Sequence, residues 1–128
     1  MELIYTKNII IEDEHLDSLN HVNNVQYIKW MEEMAKEHWD LLKVNTEYAE
    51  DYWVLVDHHI QYLRQVFKGE VLLVRTYPEE PEGIRQPRKV EFYIGNDLVV
   101  DSRTKWVLID KNTNKIKRLP KDWLNSLL

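Results

Sequence analysis

The chain has 128 residues, no cysteine and a formal charge of −5 at pH 7, with 44% hydrophobic and 30% charged residues. That length carries one hydrophobic core without staples, and the composition is ordinary for a soluble globular protein, read as a single domain over 1–128. The missing cysteines exclude disulfides, thiolate nucleophiles and zinc–sulfur sites, and the acidic balance argues against a general nucleic-acid binder.

The N-terminal stretch MELIYTKNIII carries Glu2 and has no basic n-region with a small-residue cleavage site, so it does not read as a signal peptide. No segment approaches the roughly 18 to 20 apolar residues that span a bilayer. A cytoplasmic protein without membrane contact is the expectation. Residues 3–11, with Ile4, Tyr5, Thr6 and Ile9–Ile11, read as a first strand, and residues 12–22 as an acidic, polar loop.

From Asn23 to Leu42 the apolar positions Tyr27, Ile28, Met31, Met34, Ala35, His38, Leu41 and Leu42 recur at three and four residues, one face of a long helix. Lys29–Glu33 and Glu32–Lys36 are candidate i,i+4 pairs, each worth about 0.2–0.5 kcal/mol. Asn23 or Asn24 serves as the N-cap, because a short carboxamide accepts from an orphan N–H.

Four segments rich in β-branched and aromatic residues follow: Trp53–Val66, Gly69–Tyr77, Lys89–Ile94 and Leu98–Ile109. Turn signals at Lys68-Gly69, Pro78–Gly83 and Gly95-Asn96-Asp97 separate them, and the short connections imply an antiparallel meander. Asp110–Asn114 reads as a turn and Pro120–Leu127 as a short terminal helix. The sum is an α+β layer pair, the sheet wrapping its apolar face around the helix. Uncovered sheet edges imply dimerisation through strands.

Chemistry concentrates in Leu16–Tyr27, LDSLNHVNNVQY. Asp17, His21, Asn20, Asn23 and Asn24 gather ahead of the helix, whose first turn offers unpaired N–H groups and a partial positive charge. A carboxylate beside such donors joins a base or nucleophile to an oxyanion receiver, which suits acyl transfer.

The string D-x-x-x-H-V-N-N-x-x-Y from Asp17 to Tyr27 resembles the hotdog-fold acyl-CoA thioesterases, specifically the 4-hydroxybenzoyl-CoA thioesterase-like branch. It is also similar to the repeated module of plant acyl-carrier-protein thioesterases. The resemblance continues through the Tyr62-containing strand to TKWVLID (Thr104–Asp110) and KRLPKDW (Lys117–Trp123). It implies a hotdog fold, one long central helix wrapped by a five-stranded antiparallel sheet. It further implies a homodimer or homotetramer with active sites at the dimer interface, and hydrolysis of an acyl-CoA or acyl-carrier-protein thioester. No metal or organic cofactor is implied beyond the coenzyme A of the substrate.

Carried over by position, Asp17 matches the acidic nucleophile or general base, and His21 and Asn23 match polar site residues. Asn24 and Val25 begin the helix whose N–H groups face the thioester oxygen. The chain departs from the pattern twice. Asn20 stands where many bacterial relatives have Gly, and Leu19 stands where the plant enzymes have Asn, which removes any mechanism that needs that Asn.

Plainer readings stand beside these. Asp17 reads as a turn-closing carboxylate, His21 as a buried histidine holding the loop, Asn23 and Asn24 as caps, and Tyr27 as packing that also bounds a substrate. His58 and His59 are strand neighbours on opposite faces and do not chelate one ion; we expect one, His59, to line the site and the other to face solvent. The five tryptophans read as core and interface, some bounding an acyl tunnel. Arg85, Arg88, Lys89, Arg103 and Lys105 are candidates for coenzyme A phosphates. The wider basic run Arg103, Lys105, Lys111, Lys115, Lys117, Arg118 and Lys121 reads as solvated surface or as a landing place for a phosphorylated ligand. A hotdog hydratase fits poorly because its D-x-N-P-x-H string is absent, and a non-catalytic module that binds or senses an acyl thioester is the alternative.

Overall fold

Alternation of polar and apolar residues, a helical repeat, and alternation again fold into strand, helix and sheet. The computed structural model describes residues 3–128; Met1 and Glu2, part of the signal-peptide reading, lie outside the described residues. In chain order the elements are β1 (Tyr5–Ile10), α1 (Asn24–Leu42), β2 (Tyr52–Tyr62), β3 (Val71–Pro78), β4 (Arg85–Ile94), β5 (Asp97–Ile109), β6 (Ile116–Lys117) and α2 (Trp123–Ser126).

The sheet runs β1-β3-β4-β5-β2, every pair antiparallel, so β3, β4 and β5 form the expected meander. α1 crosses between β1 and β2 and leaves those two strands on opposite edges. This is the hotdog arrangement, with α1 packed against one face of the sheet. A sixth strand departs from the five-strand expectation: β6 pairs Leu108 with Lys117 and Ile109 with Ile116, too short to leave a periodic signal. β4 also starts four residues earlier than Lys89, because it runs through Pro87, whose missing N–H argues against a central strand. β2 ends at Tyr62 rather than Val66, since Leu63 and Arg64 both turn their N–H groups onto the Val99 carbonyl.

The buried stripe of α1 is Tyr27, Trp30, Met31, Met34, Ala35, His38 and Trp39. It is rotated relative to the expected face: Trp30 and Trp39 enter the core, while Leu41 is 63% exposed. The two expected ion pairs are replaced as well. Lys36 and Lys43 both converge on Asp40 at 3.1 and 3.2 Å, because Lys36 also has a carboxylate one turn further on.

Burial divides into two apolar clusters. Tyr27, Trp30, Met31 and Met34 pack with Val74, Val90, Phe92 and Val100 beneath the N-terminal half of α1. Trp39 packs with Leu108, Leu119, Trp123 and Leu127 beneath the C-terminal half. Each such side chain stabilises the fold by about 1.5–3 kcal/mol on burial. Among the described residues six polar side chains are buried as well: His38, Thr76, Gln86, Arg88, Ser102 and Thr104. Among the described residues no helix is long and apolar enough to cross a membrane.

Candidate active site

The loop ahead of α1 is built from its own backbone. An antiparallel bridge joins Leu16 to Val22, and the Asp17 N–H donates to the His21 carbonyl at 2.9 Å. Asn20 turns the chain at φ 65°, the left-handed region that Asn tolerates and Gly adopts freely. Gly would adopt the same conformation without strain. The Val22 N–H donates to Val66 O at 2.8 Å and the Asn23 N–H to His15 O at 2.9 Å, which fixes the loop to the body of the protein.

Within this loop Asp17 and His21 meet. His21 Nδ1 lies 3.0 Å from Asp17 Oδ2, with the two side chains 19% and 27% exposed. A carboxylate only accepts, so the imidazole proton on this bond sits at Nδ1. Asp17 Oδ1 accepts from the Leu19 N–H at 2.9 Å and the His21 N–H at 3.4 Å. Asp17 therefore does close a turn, as the plainer reading has it, and also binds His21. A carboxylate has about four acceptor positions; three are occupied here, and one is left for water or for attack. The outer face of His21 meets the Phe67 ring edge-on at 6.5 Å, a contact the sequence reading did not anticipate.

At the helix start the cap divides the available donors. Asn23 is the N-cap, and its Oδ1 accepts from the Val25 N–H at 2.9 Å. The Gln26 N–H donates to Asn23 O. Among the described residues the Asn24 N–H has no partner, so Asn24, rather than Val25, supplies the open donor at the positive end of α1. The Asn24 and Val25 side chains are exposed, and Leu19, Val25, Leu63 and Phe67 form exposed apolar surface around the loop.

The remaining candidates fall elsewhere. Tyr27 is 2% exposed, and burial pushes its hydroxyl far above the ordinary tyrosine range; it packs against Trp30, Tyr62 and Phe92. His59 faces away from the helix, opposite Arg103, beside Asp57, Lys89 and Asp101. A register shift between Leu55 and Asp57 puts His58, paired with the inward Thr104, on the helix side instead. Among the described residues no three His, Asp or Glu side chains gather as metal ligands.

The proposed phosphate contacts require the largest correction. Arg88 is 6% exposed and lies in the interior, bonded to His38 and Thr76. Lys89 pairs with Asp101, Arg103 with Glu79 and Glu82, and Lys105 with Glu82. Of the five, only Arg85 is exposed and outside an ion pair among the described residues. Lys111 and Lys117 are likewise met by Glu50, Asp51 and Asp110, so four of the seven cations in the basic run, Arg103, Lys105, Lys111 and Lys117, are paired.

No curated protein sequence matches the chain. Solved structures share its fold: the probable thioesterase YbaW from Escherichia coli at 23% identity and a TM-score of 0.81, covering 95% of each chain. Slr0204 from Synechocystis, a 1,4-dihydroxy-2-naphthoyl-CoA thioesterase, is similar at 17% identity and 0.77, covering 97% of this chain and 95% of its own. SAV2348 from Staphylococcus aureus, solved in complex with CoA, is similar at 14% identity and 0.83, covering 99% and 83%. The family model of the thioesterase-like superfamily matches residues 11–127. This chain belongs to the thioesterase-like superfamily, and is a thioester hydrolase of the hotdog fold.

Proposed function

We propose that the protein hydrolyses acyl-CoA thioesters, with Asp17 as the reacting carboxylate and the Asn24 N–H as an oxyanion donor. The observation that carries this reading is a half-buried carboxylate, held by three N–H groups, on the loop that leads into an uncapped donor at the start of a 19-residue helix. Negative charge develops on the thioester oxygen as the carbonyl carbon is attacked. A preorganised N–H at a helix N-terminus stabilises that charge, and one such donor typically contributes about 2.7–4 kcal/mol. Asp17 either removes a proton from the attacking water or attacks directly to form an anhydride that water then opens. His21 acts as a positioning residue, its Nδ1–H keeping Oδ2 aimed. The thiolate leaves without a strong general acid, so the site needs neither metal nor organic cofactor.

Coenzyme A as the carrier is supported by the neighbour solved with CoA, and Arg85 is the cation this reading assigns to its phosphates. We further propose a homodimer formed through β2. That strand pairs on one side only, and its free edge exposes Tyr52, Val54 and Val56. Placement in the cytoplasm fits a chain with no disulfide to maintain.

The test is thiol release across short, medium, long and aromatic acyl-CoAs. Hydrolysis of at least one class is expected. Binding across the panel without turnover would replace hydrolysis by a sensing role. Sedimentation should give a dimer or larger assembly, and Val56→Lys on the β2 edge should shift it toward monomer; unchanged sedimentation would remove β2 from the interface.

A further inference from the structure

Beneath the C-terminal half of α1 lies a partly open cavity of about 410 Å³, lined by Ala35, Trp39, Trp53, Trp106, Trp123 and Arg88 among others. Its size is within the range that small-molecule sites occupy, and its walls have the expected apolar and aromatic character. It sits at the far end of the helix from Asp17. The reaction proposed for the loop makes no use of it.

The charge inside is the feature that packing does not explain. Arg88 is 6% exposed, and both of its side-chain hydrogen bonds leave from Nη1, one to His38 Nδ1 at 2.8 Å and one to Thr76 Oγ1 at 3.1 Å. Both acceptors are neutral, and no carboxylate pairs with Arg88 among the described residues. Nε and Nη2 make no bond there. A guanidinium has five N–H donors in a planar fork suited to a carboxylate, so most of this fork is unused. Burying such a charge without an anion is costly. The acidic groups in the wall do not serve: Asp40 is held by Lys36 and Lys43, Asp51 by Lys117, and Glu32 is on the exposed side of α1.

We propose that this cavity binds a small apolar carboxylic acid, the carboxylate on the Arg88 fork and the alkyl or aromatic body among the tryptophans. One buried cation balances one carboxylate. A phosphate, with its second charge and additional oxygens, would be left under-compensated between aromatic walls. The aromatic faces add contact area and enclose the body of the ligand without asking for hydrogen bonds. The site stands apart from Asp17 and does not depend on the catalytic role given to that residue.

Calorimetric titration of the intact protein at neutral pH tests this, using octanoate and phenylacetate, their neutral amides, and inorganic phosphate. At least one acid should bind, with its amide at least about tenfold weaker, which corresponds to about 1.4 kcal/mol, and phosphate should not bind. Arg88→Met should abolish the preference for acid over amide. Should that variant fail to fold, Ala35→Phe, which fills the cavity from α1 and leaves Arg88 in place, should block both ligands while keeping the native circular dichroism. Asp17→Asn should keep the affinity of wild type. The proposal is overturned if no acid binds wild type, if acid and amide bind equally, if phosphate binds as well as the acids, if folded Arg88→Met keeps the preference, if Ala35→Phe binds undiminished, or if Asp17→Asn loses the acid.

Discussion

Two polar pairs flank α1, each containing a histidine, and they are opposites. At the N-terminal end Asp17 and His21 are half-exposed and held by backbone N–H groups of a short loop. Beneath the C-terminal half, Arg88 and His38 are nearly sealed, 6% and 4% exposed, and are held by side chains from strand and helix. Burial drives His38 down to about 4, with the Arg88 charge adding to it, and lowers Arg88 to about 10, still charged at neutral pH. Arginine only donates, so His38 Nδ1 must carry the lone pair and Nε2 the proton, the reverse of the tautomer that Asp17 imposes on His21. One side-chain type thus serves as donor to an anion at one end and acceptor from a cation at the other. The partner and the local dielectric decide which.

The contrast can be broken first at the buried end. Trp123 is 1% exposed and joins Trp39, Tyr48 and Trp53 in one aromatic cluster. Trp123→Ala should cost about 3–5 kcal/mol in urea unfolding, a loss confined to stability if the Asp17 loop is independent of this half. A parallel collapse of thiol release under conditions where the variant is folded would couple the two ends.

His38 gives a pH signature with a definite sign. Its pKa is about 4 in the folded protein against an ordinary 6.5, so below that ordinary value the unfolded chain binds more protons than the folded one. The stability it contributes is complete above pH 6.5 and lost as pH falls toward 4, up to about 3 kcal/mol. The difference between wild type and His38→Asn in denaturant titrations should trace that fall. A difference that is flat with pH would mean His38 titrates normally.

The exposed end should respond in rate instead. Asp17→Asn retains an oxygen for the Leu19 N–H but removes the anion, so kcat should drop about 10²-fold or more. Its unfolding free energy should change by less than about 1 kcal/mol, as expected for a half-exposed pair. Undiminished turnover would remove Asp17 from the chemistry. The smallest effect belongs to the cap. Asn23→Ala releases the Val25 N–H and should lower stability by about 1 kcal/mol, read as a shift in thermal midpoint; no shift would mean that water replaces the cap without loss.

Much of this was legible from residue order. The helix start at Asn23-Asn24, the meander and the polar loop were all marked by short-range signals: a cap, turn residues, period-two alternation. Asp17 was distinguishable by its place before the helix. His21 was not, because whether a histidine holds a loop or serves a reaction depends on what its two nitrogens meet. Arg88 was misread as a surface cation, although a signal was available. It alternates with Val90 and Phe92 on β4, and that period places it on the inner face. Residue type alone points the other way, because arginine is rarely buried. Pro87 hid the start of the same strand, and the bulge in β2 exchanged the faces of His58 and His59, since one extra residue inverts every side chain beyond it.

The sequence by itself determined the element types, the loop that carries Asp17 and the class of chemistry, because capping, turn formation and amphipathic period act over a few residues. Only the tertiary structure decided which charges are free and which are spent. Four of five candidate phosphate cations turned out to be paired or buried, and an arginine without an anion ended in an aromatic cavity. Those outcomes depend on contacts between residues far apart in the chain, such as the 50 positions separating Arg88 from His38, and on a dielectric that exists only once the core has closed.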